Sequence, residues 1–556
     1  MTQEEKEGRK KIDFSLSPSK VVDKGERPLR HGGDLMLLGL YNRLGLPKIC
    51  GAIVKGRRIK YDLNETLQTL VTSRVLFPCS KRRTMELAKS YVRPPKFKES
   101  DMFRSLSLLS DHIDMIQAQV YRNSLDILPR RDKVVFYDCT NYYFEIEDND
   151  SDIIDKDTGE VIVGLRKSGK SKEHRPNPIV QMGMFMDYDG IPLAFKIFPG
   201  NESEQKSLQP LEEVLNHRFG MTDYVVSTDA GLASEDNRRY NMAEGREYIC
   251  VQSIPSLPKD DRKMCVRPEG WRIAFRKKAD HRLPLDPKNP AREIFNLDEL
   301  LEAEKKQPGM LKDTTLYKEI VVMKGPEDAK RPERVIVTYD HDFAMYLKHK
   351  RAENLKRAKK IVDKKQTKSR QSQQDPRHYV TTTHKTRKGE RAVKIEMAIN
   401  TDVVAQEEAL DGFYAYGTSL DDEAVDVLRI RSFHHEIEHI FRTTKTFLDA
   451  RPVYLSRQDR IKSHFLICFL AMVILKMLQR QITEANPEQY KDEALSIDRL
   501  INTLRDMRFA HIEGAGYLPM FSRNDLTDQL QNIAGVNIST QIIPTRTMTA
   551  NYRCVK

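Results

Sequence analysis

RSFHHEIEHIFRTTK, residues Arg431 to Lys445, reads as one amphipathic helix. Phe433, Ile437, Ile440, Phe441, Thr444 and, just beyond, Phe447 recur at steps of three and four, which lines them along one side as an apolar stripe. Arg431, His434, Glu438, Arg442 and Lys445 fall on the opposite side at similar spacing. One carboxylate is therefore ringed by groups that hold phosphate. Two readings are open for this face. It is either the ligand-bearing helix of an enzyme that cuts phosphodiesters, or a solvated surface whose Glu438–Arg442 pair is worth about 0.3 kcal/mol.

Upstream, Lys133 to Glu147 (KVVFYDCTNYYFEIE) is rich in aromatic and β-branched residues and reads as a long strand. Asp138 interrupts its apolar part, which is unfavourable unless the carboxylate faces solvent or binds something. The polar loop 148–177 ends in GLRKSGKSKEHRPNP, with Arg166, Lys167, Lys170, Lys172, His174 and Arg175. Such a loop either holds a phosphate backbone close to Asp138 or is simply solvated. Ile179–Asp187 and Ile191–Phe198 form a hairpin through Tyr188-Asp189-Gly190, with Asp187 and Asp189 as turn residues. A helix over Ser203–Phe219 leads to the strand Tyr224–Thr228, which runs into Asp229-Ala230-Gly231. An acid at the end of a buried strand, before a small-residue turn, sits where α/β sheets place their sites.

The flanking regions differ in pattern. Residues 1 to about 30 read as a polar arm, and Asp34 to about Pro129 as helical. Asp62 or Asn64 caps a helix through Leu76, Pro78 stops it, and Ser80 caps the next, which opens with Lys81, Arg82 and Arg83. A helix, a turn and a second helix with a basic first turn suit a DNA groove, and equally suit a bundle with an exposed basic turn. Between Met242 and Ala409, strand-like runs alternate with polar loops: Tyr248–Ile254, Trp271–Arg276, Leu316–Met323, Arg334–Tyr339, His378–Thr383 and Ala392–Ile399. A helix crosses them near Phe343–Val362, and the basic run Lys356–Arg370 at its end is a DNA-contacting arm or a solvated linker. Phe413–Ser419 returns to strand. Phe465–Leu475 reads as a buried helix, and the tail from 491 to 556 as helical, then irregular.

Composition narrows the class. The 556 residues are enough for two to four domains. Lys plus Arg number 93 against 81 Asp plus Glu, a net charge of +12, and the pI is near 9.1. That balance favours a polyanionic partner. Seven scattered cysteines with no C-x-x-C pair suggest neither a disulfide framework nor zinc, and fit a reducing compartment. The opening MTQEEKEGRKKIDF lacks the apolar region of a signal peptide, and the apolar run Phe465–Leu475 is about half the roughly 20 residues a spanning helix needs, so no membrane partner is expected.

In chain order the candidates are a strand with Asp138, a hairpin, a helix, a strand ending at Asp229, a long insertion, a strand and a helix with Glu438. The order resembles an RNase H-like core. In detail, VVFYDCTNYYFE, GKSKEHRPNPIVQMGMFMDYDGIPLAFKIFPGNESE, VVSTDAGLAS and IEHIFRTTKTFLDARPVYLSRQDRIKSHFLICFLA are similar to bacterial insertion-sequence transposases of the DDE type, in the IS-four superfamily near subgroup sixteen-thirty-four. The resemblance covers about 131–240 and 410–480. It implies an α/β fold: a helical N-terminal DNA-binding domain (1–130), an RNase H-like catalytic core in two parts (131–241 and 411–480), an inserted β-rich domain (242–410), and a C-terminal helical or irregular region (481–556). It also implies that Asp138, Asp229 and Glu438 form the catalytic triad and hold two Mg²⁺ or Mn²⁺ ions, to which hard oxygen ligands are suited. In the superfamily the last acid belongs to a Tyr, Arg, Glu, Lys signature. Counting from Glu438, the Lys position is Lys445, while the Arg position holds His434 and the Tyr position Arg431.

The expected DNA contacts are Lys172, His174, Arg175, Arg431, His434, Arg442 and Lys445, with Lys81, Arg82 and Arg83 in the N-terminal domain. Trp271, the single tryptophan, stacks on a base or fills a core. The implied activity is metal-dependent cleavage at the ends of an insertion element and strand transfer into target double-stranded DNA. It would be performed by at least a homodimer in the cytoplasm of a bacterium, close to the nucleoid. The rivals are a stand-alone Mg²⁺ nuclease on the same core and a catalytically silent, transposase-derived DNA-binding repressor.

Overall fold

The computed structural model describes residues 18–19, 21, 24, 29–154, 159–242, 245–276, 293–326, 330–364, 375–385, 394–491 and 493–554. Most of the N-terminal arm and the 365–370 end of the basic run lie outside the described residues. The chain forms two compact units. The first comprises Met1–Ser227, Ala243–Arg246 and Phe433–Lys556, and the second Thr228–Met242 and Glu247–Ser432.

In chain order the elements used below are α1 (Leu63–Leu76), α2 (Lys81–Ala88), β1 (Val134–Tyr143), β2 (Ile179–Asp187), β3 (Pro192–Pro199), β4 (Val225–Thr228), β5 (Glu247–Val251), β6 (Arg272–Arg276), β7 (Thr314–Lys324), β8 (Arg331–Asp340), α3 (His341–Asp363), β9 (Phe413–Thr418), α4 (Ala424–Ser432), α5 (His435–Thr446) and α6 (Gln458–Ala485).

The sheet of the first unit has the order β3-β2-β1-β4. β1 and β2 are antiparallel, with Asp138 opposite Met184, whereas β4 is parallel to β1 through Val135 and Val226. Every residue of β2 is buried, as expected of a strand covered on both faces. The hairpin turn places Gly190 at φ 70°, a left-handed conformation that glycine adopts without strain. Asp187 does more than the turn role expected of it. Its Oδ1 accepts the amides of Asp189 (3.0 Å) and Ile191 (2.8 Å), and its carboxylate is buried against Arg130.

α6 is long and apolar enough to cross a membrane, but 94% of its apolar window is buried inside the protein. Its Phe465 meets Tyr142 of β1 at 4.7 Å between ring centres, and its Phe469 meets Phe195 of β3 at 5.2 Å. The N-terminal helices pack on α6 too. The Asp62 carboxylate accepts Glu65 N–H at 3.0 Å to cap α1, and Ser80 accepts Arg83 N–H at 3.3 Å to cap α2. These helices therefore belong to the same unit as the sheet. The tail is more regular than its sequence suggested: Arg508–Ile512 and Gly516–Pro519 form a three-stranded sheet with Leu29–His31. Ladder hydrogen bonds between the two ends of the chain organise a segment that has little periodicity of its own.

The second unit is built on an antiparallel sheet of order β5-β9-β8-β7-β6. β7 alternates buried and exposed positions along much of its length, the pattern of a strand with one solvated face. Its buried side joins Trp271, Val335, Val337, Tyr339 and Ala415 in one core. β9, read from sequence as the last strand of the catalytic core, pairs here through Tyr416 with Ile336 of β8 and Val251 of β5.

Candidate active site

β1 lies inside the sheet of the first unit, between β2 and β4. Alternation along the strand sends Tyr137 and Cys139 to one face, where both reach Ser207 Oγ at 2.7 and 3.0 Å. Asp138 faces the other way and is half-buried, its Oδ1 accepting the Cys139 amide at 2.7 Å. Two lysines from distant parts of the chain approach this carboxylate. Burial works against the charge of Lys172, but Asp138 and Glu204, the latter 3.4 Å away, outweigh it and raise its pKa. Lys445 is different: burial, reinforced by the charge of Lys172 and opposed by Asp138, pushes its pKa down to about 8.

Around this centre the side chains are cationic and aromatic. Lys445, with 14% of its side chain exposed, lies 3.8 Å from Glu173 and 5.5 Å from the centre of the Tyr142 ring. Arg451 also pairs with Glu173. Arg175 and Arg451 lie over the Tyr143 ring at 4.1 and 5.9 Å. Such stacking holds a guanidinium in place while leaving its N–H groups to take an anion. Glu173 and Arg451 had no role in the sequence reading. The available signal was that Glu173 is the single acid within GLRKSGKSKEHRPNP. His174 is exposed, with a left-handed backbone at φ 55°.

The expected helix over Arg431–Lys445 is two helices. α4 ends at Ser432, α5 begins at His435, and the division between the units falls in the break. Within the break, Phe433 and His434 both turn inward. The Phe433 ring packs on Tyr188 at 4.3 Å, and His434 meets Phe136 at 6.1 Å, edge to face. His434 is 4% exposed, so the expectation of a DNA-facing imidazole is corrected. The apolar stripe is present within α5, where Ile437, Ile440, Phe441 and Thr444 are buried. Glu438 and Arg442 are exposed. Glu436 turns towards Lys476, with 3.7 Å between the charged atoms.

Asp229 belongs to the second unit, at the start of the short turn Ala230–Leu232. Its side chain is 49% exposed, and its Oδ1 accepts a hydrogen bond from Arg431 Nη2 at 2.9 Å. The Arg431 guanidinium also lies 6.0 Å from the Tyr416 ring. Arg431 thus ends α4 and serves Asp229 instead of sharing a helix with Glu438. Among the described residues, no three His, Cys, Asp or Glu side chains cluster as a metal site.

The basic first turn of α2 also departs from expectation. Lys81 is buried at 5% exposure, Arg82 pairs with Glu99 at 2.8 Å, and Arg83 is exposed. Residues 81 to 83 point in different directions because successive positions on a helix are about 100° apart. Trp271 is wholly buried and donates Nε1–H to the Arg267 carbonyl at 2.9 Å, which leaves the core as its role.

No family model and no curated protein matches the sequence. Among solved structures, the chain is similar to piggyBac transposase in a cryo-EM synaptic complex with hairpin DNA, at 7% identity and a TM-score of 0.36, over 94% of this chain and 85% of that one. It is also similar to Mos1 transposase in a paired-end complex with the left transposon end, at 11% identity and a TM-score of 0.13, over 43% and 61% of the two chains.

Proposed function

We propose that this chain is a DNA transposase of the DDE type, similar to the IS-four superfamily, that cleaves the ends of an insertion element and transfers the released 3′-hydroxyl into target DNA. The observation that carries the reading is the setting of Asp138: a half-buried carboxylate on an inner strand, with Lys172 and Lys445 beside it. A carboxylate and two cations at one point suit a phosphodiester, since the cations hold its charge while the acid serves the reacting end. The strand order β3-β2-β1-β4, with the fourth strand parallel to the first, is consistent with an RNase H-like core.

In this reading Lys172 and Lys445 neutralise the phosphate undergoing attack, and Arg175 and Arg451 orient the flanking backbone from their seats over Tyr143. Asp138, Asp229 and Glu438 are the proposed holders of Mg²⁺ or Mn²⁺, which when bound polarises the phosphodiester and activates the attacking oxygen. That assignment rests on donor type, since hard carboxylate oxygens suit these ions. Two element ends require at least two copies of the chain on the DNA, and the setting is the cytoplasm of a bacterial host.

A strand-transfer reaction with labelled terminal DNA and Mg²⁺ tests the proposal, with Asp138→Asn and Glu438→Gln beside the parent. Joined product from the parent and none from either variant is expected. Cleavage without joining identifies a nuclease, and undiminished joining by the Glu438→Gln protein removes that residue from the chemistry.

A further inference from the structure

The first unit contains a cavity of about 1030 Å³ well away in sequence from the β1 carboxylate, walled by α1, α2, α6 and the loop 449–456. Its lining is strongly basic: Arg74, Lys81, Arg82, Arg83 and Arg460, beside His464, whose pKa burial and the neighbouring Lys81 and Arg74 hold well below its ordinary value. The negative groups in its wall are Glu99, which Arg82 engages, and the exposed Asp449.

Two of these cations are buried. Arg74, 3% exposed, spends its guanidinium on carbonyls, donating Nη1 to Leu448 and Asp449 at 3.2 Å and Nη2 to Cys79 at 3.1 Å. Among the described residues no carboxylate forms an ion pair with it, although the exposed Asp449 feels its charge. Lys81, 5% exposed, lines the cavity, and its ammonium makes no hydrogen bond or ion pair with any of the described residues. Its strongest electrostatic neighbour is Arg74, a like charge. An uncompensated buried ammonium beside a guanidinium is unfavourable in an otherwise finished fold. At the same point the N-terminus of α2, capped by Ser80, presents its partial positive charge. Among the described residues the carboxylate that feels the Arg74 charge in this wall is the exposed Asp449, and an oxyanion seated at Lys81 would complete the neutralisation.

We propose that this cavity binds a phosphate group, seated on Lys81 and the first turn of α2 with Arg74 behind it. The volume is far larger than a phosphate alone requires, and Phe103, Pro78, Pro452, Tyr454 and Leu455 supply an apolar wall for the group that carries it. A DNA end with a terminal phosphate and a free phosphate ester share this chemistry. The DNA source rests on the polyanion-binding reading above, while the site itself does not. Burial and Arg74 together hold the Lys81 pKa well below its ordinary value, and an anion seated beside it would raise it.

The test is thermal unfolding of the full chain in inorganic phosphate against chloride at matched ionic strength. Parent, Lys81→Met and Arg83→Ala are compared, since phosphate also stabilises proteins non-specifically by exclusion from their surfaces. Methionine keeps the length of Lys81 and removes its charge, so this variant is expected to fold and to melt higher than the parent without phosphate. Phosphate is expected to raise the parent midpoint saturably, by roughly 2 °C at a tenfold excess over its dissociation constant. The rise should be smaller in Arg83→Ala and reduced to the non-specific part in Lys81→Met. An equal rise in parent and Lys81→Met, or none in the parent, overturns the proposal. Competition between phosphate and oligonucleotides separates the sources. Preference for a 5′-phosphorylated oligonucleotide over its 5′-hydroxyl form assigns the seat to a DNA end, and equal indifference to both, with phosphate bound, assigns it to a free ester. Loss of strand transfer in the assay above leaves these outcomes unchanged.

Discussion

Replacing Lys445 by methionine is expected to stabilise the protein at neutral pH, and to do so less as the pH rises. Lys445 sits at about 8 rather than 10.5 because it is buried and next to Lys172, with Asp138 only partly compensating. A lysine held that far down opposes folding by up to about 3 kcal/mol wherever it is charged. Salt and the partial exposure of the side chain reduce this to about 2 kcal/mol. The unfolded chain keeps the proton up to about pH 10.5 and the folded chain only to about 8, so between those values the unfolded state binds more protons and stability rises with pH. The opposition is complete below pH 8 and gone above 10.5. Methionine keeps the aliphatic stem against Tyr142, and Arg451 remains with Glu173. Urea unfolding followed by circular dichroism at pH 7 and pH 10 should therefore give Lys445→Met an advantage of about 1–2 kcal/mol at the lower pH that mostly disappears at the higher. An advantage equal at both values, or a variant less stable than the parent at pH 7, refutes the reasoning. A phosphate arriving beside Lys445 draws a proton back onto it. DNA affinity of the parent should accordingly weaken as the pH passes 8, while Lys445→Arg, which does not titrate there, should hold its affinity.

Trp271→Ala is expected to destabilise the second unit by about 3–5 kcal/mol by emptying a core position, read by loss of its cooperative melting. Because Trp271 is buried and its Nε1–H already has a partner, its fluorescence in the parent should not change when DNA is added. Quenching by DNA argues for a base contact instead. Arg130→Met should cost about 3–5 kcal/mol by leaving the Asp187 carboxylate buried without its partner. The double variant Arg130→Met, Asp187→Asn should recover part of that loss in a chemical denaturation series, since a neutral amide can still accept the Asp189 and Ile191 amides. No recovery locates the cost elsewhere.

The sequence by itself determined what depends on near neighbours. Aromatic and β-branched composition placed β1, runs of strand-forming residues placed β2, β3, β7 and β8, turn chemistry joined β2 to β3, and the capping residues Asp62 (or Asn64) and Ser80 announced the two helices that Asp62 and Ser80 cap. The apolar run in α6 read correctly as buried. Asp138 was legible as an anomaly, a carboxylate in an apolar strand. Only the tertiary structure decided which faces are covered and which distant groups meet. Periodicity along 431–445 was compatible with one helix; in the structure the chain breaks at Phe433 and His434, which pack against Tyr188 and Phe136. Arg431 went to Asp229, 202 residues away, rather than to Glu438 on the next helix. Lys81 turned into a cavity whose walls also include Arg74, Phe103 and residues near 450 and 460. Spacing specifies the direction of a side chain on its own element; its charge state and partners are set by what the rest of the chain brings against that face, and no local pattern encodes that.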